Sequence, residues 1–139
     1  MRILFLDFDG VLTPGPYEPI ARDDFFWVPV LYRALRGHDD VRIVVHSSWR
    51  YDTSIEDLRG LLGAFLGPLV IGVTPLWMQR YEGIVAWLHE CSQPVHSYRI
   101  LDDAGDEFPS PRPDELILCD PGRGVDDPAV LLQLREWLS

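Results

Sequence analysis

A run of large apolar residues at positions 3–6 ends abruptly in Asp7, Asp9 and Gly10. Such a short, unbroken run is typical of a strand that is buried on both faces, as in a parallel sheet. Residues two apart on an extended strand share a face, so Asp7 and Asp9 can converge where the strand ends. Two carboxylates that close repel each other unless a cation or a shared proton lies between them. This corner therefore predicts a buried first strand that carries a divalent-metal site and an acid–base pair.

Four further apolar runs and four helical patterns follow along the chain. The runs predict strands at residues 41–46, 69–73, 98–101 and 115–119. The periodic segments predict helices over residues 25–36, 54–65, 81–91 and 128–138. Asp23 or Asp24 is the candidate cap of the first helix, and Ser54 is that of the second. Strands that alternate with helices predict an α/β fold with an open, mostly parallel sheet and helices on both faces, as one domain over residues 1–139.

Composition limits the class of protein. The chain has 139 residues, an apolar content of 47% and a net charge of −10. The charge opposes broad wrapping of nucleic acid, although a local basic pocket stays compatible with it. Cys91 and Cys119 have no metal-binding spacing, no apolar stretch is long enough to span a membrane, and the first strand begins too early for a signal peptide. We therefore expect a reduced, cytoplasmic protein with no membrane partner.

Polar side chains follow three of the predicted strands. They are Asp7 and Asp9 after the first, Ser47 and Ser48 after the second, and Asp102 and Asp103 after the fourth. In open parallel sheets, ligands bind beyond the carboxyl ends of the strands. We therefore expect three strand ends to form one site.

Three motifs in this order resemble those of the haloacid dehalogenase (HAD) superfamily. Residues 4–12 (LFLDFDGVL) resemble its first motif, residues 43–50 (IVVHSSWR) its second, and residues 98–108 (YRILDDAGDEF) its fourth. The SSWR ending and the later RYEGIVAWL stretch further resemble the small HAD domains of nucleic-acid (RNA) repair proteins. The resemblance implies a Rossmannoid three-layer sandwich with a five-stranded sheet of order 3-2-1-4-5.

The resemblance also implies roles for the acidic residues. Asp7 would be the nucleophile that forms an aspartyl-phosphate, and Asp9 would be the general acid and base. The Asp7 side chain, the Asp9 backbone carbonyl and an aspartate of the fourth motif would bind Mg²⁺, which prefers oxygen ligands. Asp103 is favoured as that ligand, with Asp102 as its close neighbour, but the spacing leaves both open.

Other residues of the motifs are implied to hold the substrate. Gly10 would let the chain turn sharply beside it. Ser47 would hydrogen-bond the phosphoryl group, and Ser48 is the adjacent alternative. The superfamily has a lysine in its third motif, but all 12 basic residues of this chain are arginines. Arg80 is the positional substitute, since its planar fork can bind two oxygens, and Arg50 is a second cation directed at the same region.

Aromatic and imidazole side chains near the motifs could be functional or structural. Trp49 and Trp77 flank the predicted site, where base stacking is one role and packing is the favoured one. His46 lacks metal-ligand spacing and is not predicted to be catalytic.

Together, the residues and the resemblance predict a Mg²⁺-dependent phosphatase that acts on a phosphomonoester. Residues 13–42 and 51–79 leave no room for a cap domain, so the site would be open and suited to a large substrate such as a polynucleotide end. A small-metabolite or nucleotide phosphatase lidded by oligomerisation is one alternative. A catalytically weak HAD-like binding module is another, because the lysine is missing. A receiver domain is excluded, since it also needs a lysine.

Overall fold

A computed structural model of the protein describes residues 1–18 and 24–139. Its helices and strands are, in chain order, β1 (Arg2–Leu6), α1 (Val28–Leu35), β2 (Val41–Val45), α2 (Ile55–Leu66), β3 (Val70–Val73), α3 (Arg80–Glu90), β4 (Ser97–Asp102), β5 (Leu116–Leu118) and α4 (Pro128–Leu138). Within the described residues the strands pair in parallel in the order β3-β2-β1-β4-β5. The predicted α/β class and strand order are therefore confirmed.

The central strand β1 is buried on both faces, as its apolar run predicts. Leu4 and Leu6 pack in a cluster with residues of α1, α2 and α4. Ile3 and Phe5 point the other way and pack with Ile84 of α3. These four apolar side chains are fully buried, and each contributes about 2 kcal/mol through its removal from water. Helix packing on both faces therefore fixes the strand whose end carries the first motif.

The register of the central strands aligns three polar residues. Leu6 is level with the last residue of β2 and with the next-to-last residue of β4. Both ladders continue past it, because His46 N–H donates to the Leu6 carbonyl and Asp7 N–H donates to the Leu101 carbonyl. Asp7, His46 and Asp102 therefore form one row across the carboxyl end of the sheet.

Helix α1 begins later than predicted. Its first residue is Val28, and Trp27 occupies the N-cap position without a side-chain hydrogen bond. Asp24 is therefore not the cap, and the alternative cap, Asp23, lies outside the described residues. Phe25 has a φ of 61°, which a right-handed helix does not allow. The chain therefore makes a turn at Phe25 before helix α1 starts.

Helix α2 starts as predicted but is not continuous. The Ser54 hydroxyl accepts a hydrogen bond from the Asp57 N–H at 3.2 Å, which caps the first turn. Gly63 has a φ of 84° and a ψ of −176°, so the helix is broken one turn before its end. The buried positions Leu58, Leu62 and Leu66 keep their helical spacing across the break.

The connections beyond β1 and β2 are short in the described part of the chain. They contain α1 after β1, and a 3-10 turn at Ser48–Tyr51, α2 and β3 after β2. The described residues contain no cap domain, which confirms that prediction for them. None of the helices in this part of the chain has the length and apolar character needed to cross a membrane.

Candidate active site

The carboxyl ends of β1, β2 and β4 bring the predicted polar residues together. Asp7 is 5% exposed, and Ser47 and Asp102 are fully buried. Asp9 and Asp103 are partly exposed and lie three residues and one residue beyond the ends of β1 and β4. The site therefore has a buried floor and a more open rim.

Arg80, the first residue of α3, connects two of these carboxylates. Its Nη1 lies 3.3 Å from Asp7 Oδ2, and 2.8 and 2.7 Å from the two oxygens of Asp102. The guanidinium is mostly buried, so little water weakens these ion pairs. The cation that the sequence offered in place of a lysine thus contacts the candidate nucleophile.

Asp102 is held on several sides. His46 Nε2 lies 2.7 Å from Asp102 Oδ2, and the Ala104 N–H donates to Oδ1 at 2.8 Å. Burial by itself would raise the pKa of Asp102, but the hydrogen bonds and charges of His46 and Arg80 outweigh it and lower that pKa to about 2. Asp102 is therefore an anion that anchors Arg80.

His46 contacts a residue of the site, which the sequence did not predict. Burial lowers the pKa of its ring, so the imidazole is neutral and donates its Nε2–H to the ionised Asp102. Within the described residues its buried Nδ1 has no hydrogen-bond partner. The sequence signal for this role is its position at the end of the second apolar run, directly before Ser47.

Asp7 is surrounded by more carboxylates than positively charged side chains. Burial and the neighbouring Asp102 raise its pKa well above the usual value, while Arg80 and a hydrogen bond from the Phe8 N–H act in the opposite direction. Burial and the charge of Asp102 also raise the pKa of Asp103, while the charge of Arg80 acts in the opposite direction. Three carboxylates thus share one arginine, and a divalent cation would offset the remaining charge.

Gly10 is required where the first motif turns. Its φ is 77°, in the region that favours glycine. The Asp103 carboxyl lies directly over its Cα, so a Cβ at this position would overlap that side chain. Gly10 therefore allows Asp103 to pack against the turn of the first motif.

Two different sets of residues could bind a metal. Asp7, His46 and Asp102 form a buried group in which one ligand atom from each lies within 4.8 Å of the others. The predicted set instead combines Asp7 with Asp9 and Asp103. The two sets share Asp7; the first adds His46 and Asp102, and the second adds Asp9 and Asp103.

Trp49 orients the candidate acid–base residue. Its Nε1 donates to Asp9 Oδ2 at 3.2 Å. Its ring packs edge-on against Phe25 and Phe8, with centroids 5.2 and 6.0 Å away. Trp49 therefore packs, as predicted, and it also fixes one oxygen of Asp9.

The second motif supplies a serine hydroxyl and an arginine that binds backbone carbonyls. Ser47 Oγ accepts the Trp49 N–H at 3.2 Å, so its own O–H can donate elsewhere, and Ser48 is exposed beside it. Arg50 donates to backbone carbonyls at 2.9 to 3.0 Å; these belong to His46, Ser47, Thr74 and Pro75. Arg50 thus ties together the loops that follow β2 and β3.

Trp77 was expected to be a packing residue, but most of its side chain lies in solvent. Its side chain is 86% exposed, and its ring touches Tyr51 edge-on with a centroid distance of 4.9 Å. It lies in the loop that connects β3 to Arg80.

Comparison with known proteins adds a family to this geometry. A family model described as "HAD domain in Swiss Army Knife RNA repair proteins" matches residues 3–130. This span contains the three motifs and every residue of the site. No curated protein and no solved structure matches the chain significantly.

Proposed function

The chain belongs to the family of HAD domains in Swiss Army Knife RNA repair proteins, and we propose that it is a Mg²⁺-dependent phosphatase. It would hydrolyse a phosphomonoester through an aspartyl-phosphate on Asp7. The contact of Arg80 with both Asp7 and Asp102 carries this proposal. Phosphoryl transfer needs a fixed positive charge beside the nucleophile, and Arg80 supplies it without a lysine.

The residues of the site would divide the reaction between them. The Asp7 carboxylate attacks phosphorus, and the bond to the leaving oxygen breaks as Asp9 gives that oxygen a proton. Arg80 contacts the carboxylates through Nη1, so its other N–H groups can bind phosphoryl oxygens together with the Ser47 O–H. Asp9 then takes a proton from the water that attacks phosphorus, and Asp7 is released.

Ser48 and Arg50 complete the substrate side of the proposal. The exposed Ser48 hydroxyl is the alternative donor to the phosphoryl group. Arg50 holds the strand ends in place and adds positive charge near Asp7.

Mg²⁺ fits the charge of the site, and when bound it would offset the carboxylate charge and polarise a phosphoryl oxygen. Asp7, the Asp9 backbone carbonyl and Asp103 would hold it. Asp103 is preferred over Asp102 because both Asp102 oxygens already accept strong hydrogen bonds. Asp103, in contrast, is partly exposed and lies against Gly10 of the first motif.

An open site supports a large substrate, and the family description supports a nucleic-acid end as that substrate. A cytoplasmic location belongs to the same proposal, and both cysteines, Cys91 and Cys119, are unpaired as a reduced protein requires.

The test is phosphate release by the pure protein, with Mg²⁺ or with EDTA. The substrates are nucleotides, sugar phosphates and oligonucleotides that carry a 3′- or 5′-phosphate. We expect Mg²⁺-dependent release from an oligonucleotide, abolished in Asp7→Asn and severely reduced in Asp9→Asn. Asp39→Asn, an exposed carboxylate at the opposite end of β2, is the matched control and should keep full activity.

Three results would contradict the proposal in different ways. Full turnover by Asp7→Asn would exclude the aspartyl-phosphate. Tight binding of a phosphorylated ligand without any turnover would support the catalytically weak binding module. Release from sugar phosphates or nucleotides but not from oligonucleotides would support the small-substrate alternative.

A further inference from the structure

We propose that Trp77 and Tyr51 form a stacking platform for the nucleobase next to the phosphate that the site hydrolyses. The inference rests on the proposed function and adds a specificity site to it. An exposed aromatic face binds any base, because every base has a π-face of its own.

The backbone holds the Trp77 ring outward. Trp77 has a φ of 64°, in the left-handed region that residues with a large side chain rarely adopt. The backbone N–H of Trp77 donates to Tyr51 Oη at 3.0 Å. The two rings are inclined by 70° to each other. The contact with Tyr51 keeps this conformation while the indole stays exposed. An indole held in this way is available to a ligand.

Arg50 makes the platform rigid. Its guanidinium donates to the carbonyls of Thr74 and Pro75, at the start of the loop that carries Trp77. Its Cζ also lies 4.9 Å from the centroid of the Tyr51 ring, in a cation–π contact. The loop, Tyr51 and the end of β2 are thus held as one unit. A surface that is already ordered binds a ligand with less loss of entropy.

The platform is next to the phosphate-binding residues. Trp77 is three residues before Arg80, and Tyr51 is four residues after Ser47. Three residues of extended chain span about 10 Å. A nucleotide whose phosphate lies at Asp7 can therefore place a base on Trp77.

Stacking also suits the charge of the protein. A net charge of −10 repels a phosphate backbone, whereas stacking gains affinity from a base without a further phosphate contact. The position of the ring beside the phosphate site and the family of RNA repair domains thus favour a nucleobase as its occupant.

The experiment compares two oligonucleotides with the same terminal phosphate, of which one has an abasic terminal nucleotide. Trp77→Ala is expected to raise KM for the normal oligonucleotide about tenfold, with little change in kcat, because one base stack is lost. It should leave KM for the abasic oligonucleotide unchanged. Trp77→Phe should restore most of the loss. Phe65→Ala is the control, since this ring is 69% exposed and stacks on Tyr32 away from the site.

Binding to Asp7→Asn protein tests the platform without turnover. The normal oligonucleotide should quench tryptophan fluorescence and bind about tenfold tighter than the abasic one, and Trp77→Ala should remove both effects. Equal binding of the two oligonucleotides, or an unchanged KM in Trp77→Ala, would overturn the platform and favour a protein partner at this surface. Oligonucleotides that bind in this way but release no phosphate from the wild-type protein would instead contradict the phosphatase.

Discussion

Asp102 and Asp103 are adjacent in the chain but lie in different surroundings. Asp102 is fully buried, and both of its oxygens accept hydrogen bonds from Arg80, His46 or the backbone. Asp103 is half-buried, lies over Gly10, and has its pKa raised by burial and by Asp102. A cation gains most where a carboxylate lacks other partners. We therefore propose Asp103, and not Asp102, as the metal ligand.

This difference predicts that one substitution weakens Mg²⁺ binding and that another leaves it unchanged. Asp103→Asn is expected to weaken Mg²⁺ binding at least tenfold, because a charged oxygen ligand is lost. His46→Gln should bind Mg²⁺ normally, since the amide can still donate to Asp102. Titration calorimetry measures both. In the wild-type protein, Mg²⁺ at about 100 times its Kd should also add about 2.7 kcal/mol to the free energy of unfolding.

The reverse result would assign the metal to the other set. Loss of Mg²⁺ binding in His46→Gln, with normal binding in Asp103→Asn, would show that Asp7, His46 and Asp102 hold it. A thermal scan without Mg²⁺ is the control, and it should show that both variants fold.

The residues at strand ends could be predicted from the sequence, but their partners could not. Asp7, Asp9 and Gly10 lie within four positions, so local spacing alone brings them together. The contact of His46 with Asp102 spans 56 positions and depends on the register of β1 with its two neighbours. The exposure of Trp77 depends on its contact with Tyr51, which no local pattern reveals.

At the scale of elements, α2 shows what hydrophobic periodicity leaves out. Leu58, Leu62 and Leu66 recur every four residues and are all buried, so the pattern predicts one continuous helix. Gly63 interrupts it with a backbone conformation that is almost restricted to glycine. The break lies between two positions of the buried stripe and leaves that stripe intact. The sequence therefore predicted the helix and its cap but not its break.

Two glycines of α2 should respond to alanine in opposite directions. Gly60 is exposed with open space around it, so Gly60→Ala is expected to raise the free energy of unfolding by up to about 1 kcal/mol. Gly63 also has open space, but its positive φ means that Gly63→Ala should lower that free energy by about 1 to 2 kcal/mol. Urea denaturation of the two variants measures both values.

The pair serves as its own control, because both sites are exposed and lie on one helix. Stabilisation by both substitutions would show that α2 is a continuous helix in solution. Activity should not change in either variant, since neither glycine is among the residues of the candidate active site.

At the scale of the whole molecule, charge determines how a nucleic acid can be bound. The net charge is −10, and the cations that contact the site, Arg80 and Arg50, both lie at the carboxyl ends of the central strands. A protein that follows a strand over many nucleotides needs an extended cationic groove. An acidic molecule that places two arginines at its site is better suited to hold a strand by its end.

We therefore expect the KM for phosphorylated oligonucleotides to be constant from about two to about sixteen nucleotides in length. Each phosphate contact on a single strand contributes about −0.7 to the slope of log(1/KM) against log[salt], so contact with one or two phosphates gives a slope of about −1. Steady-state rates at several NaCl concentrations and constant Mg²⁺ measure both quantities. Trp77→Ala should raise KM by the same factor at every length, because the base that it stacks belongs to the terminal nucleotide. A KM that falls steadily with length, with a steeper slope for longer strands, would instead show that the acidic body binds the strand well beyond its end.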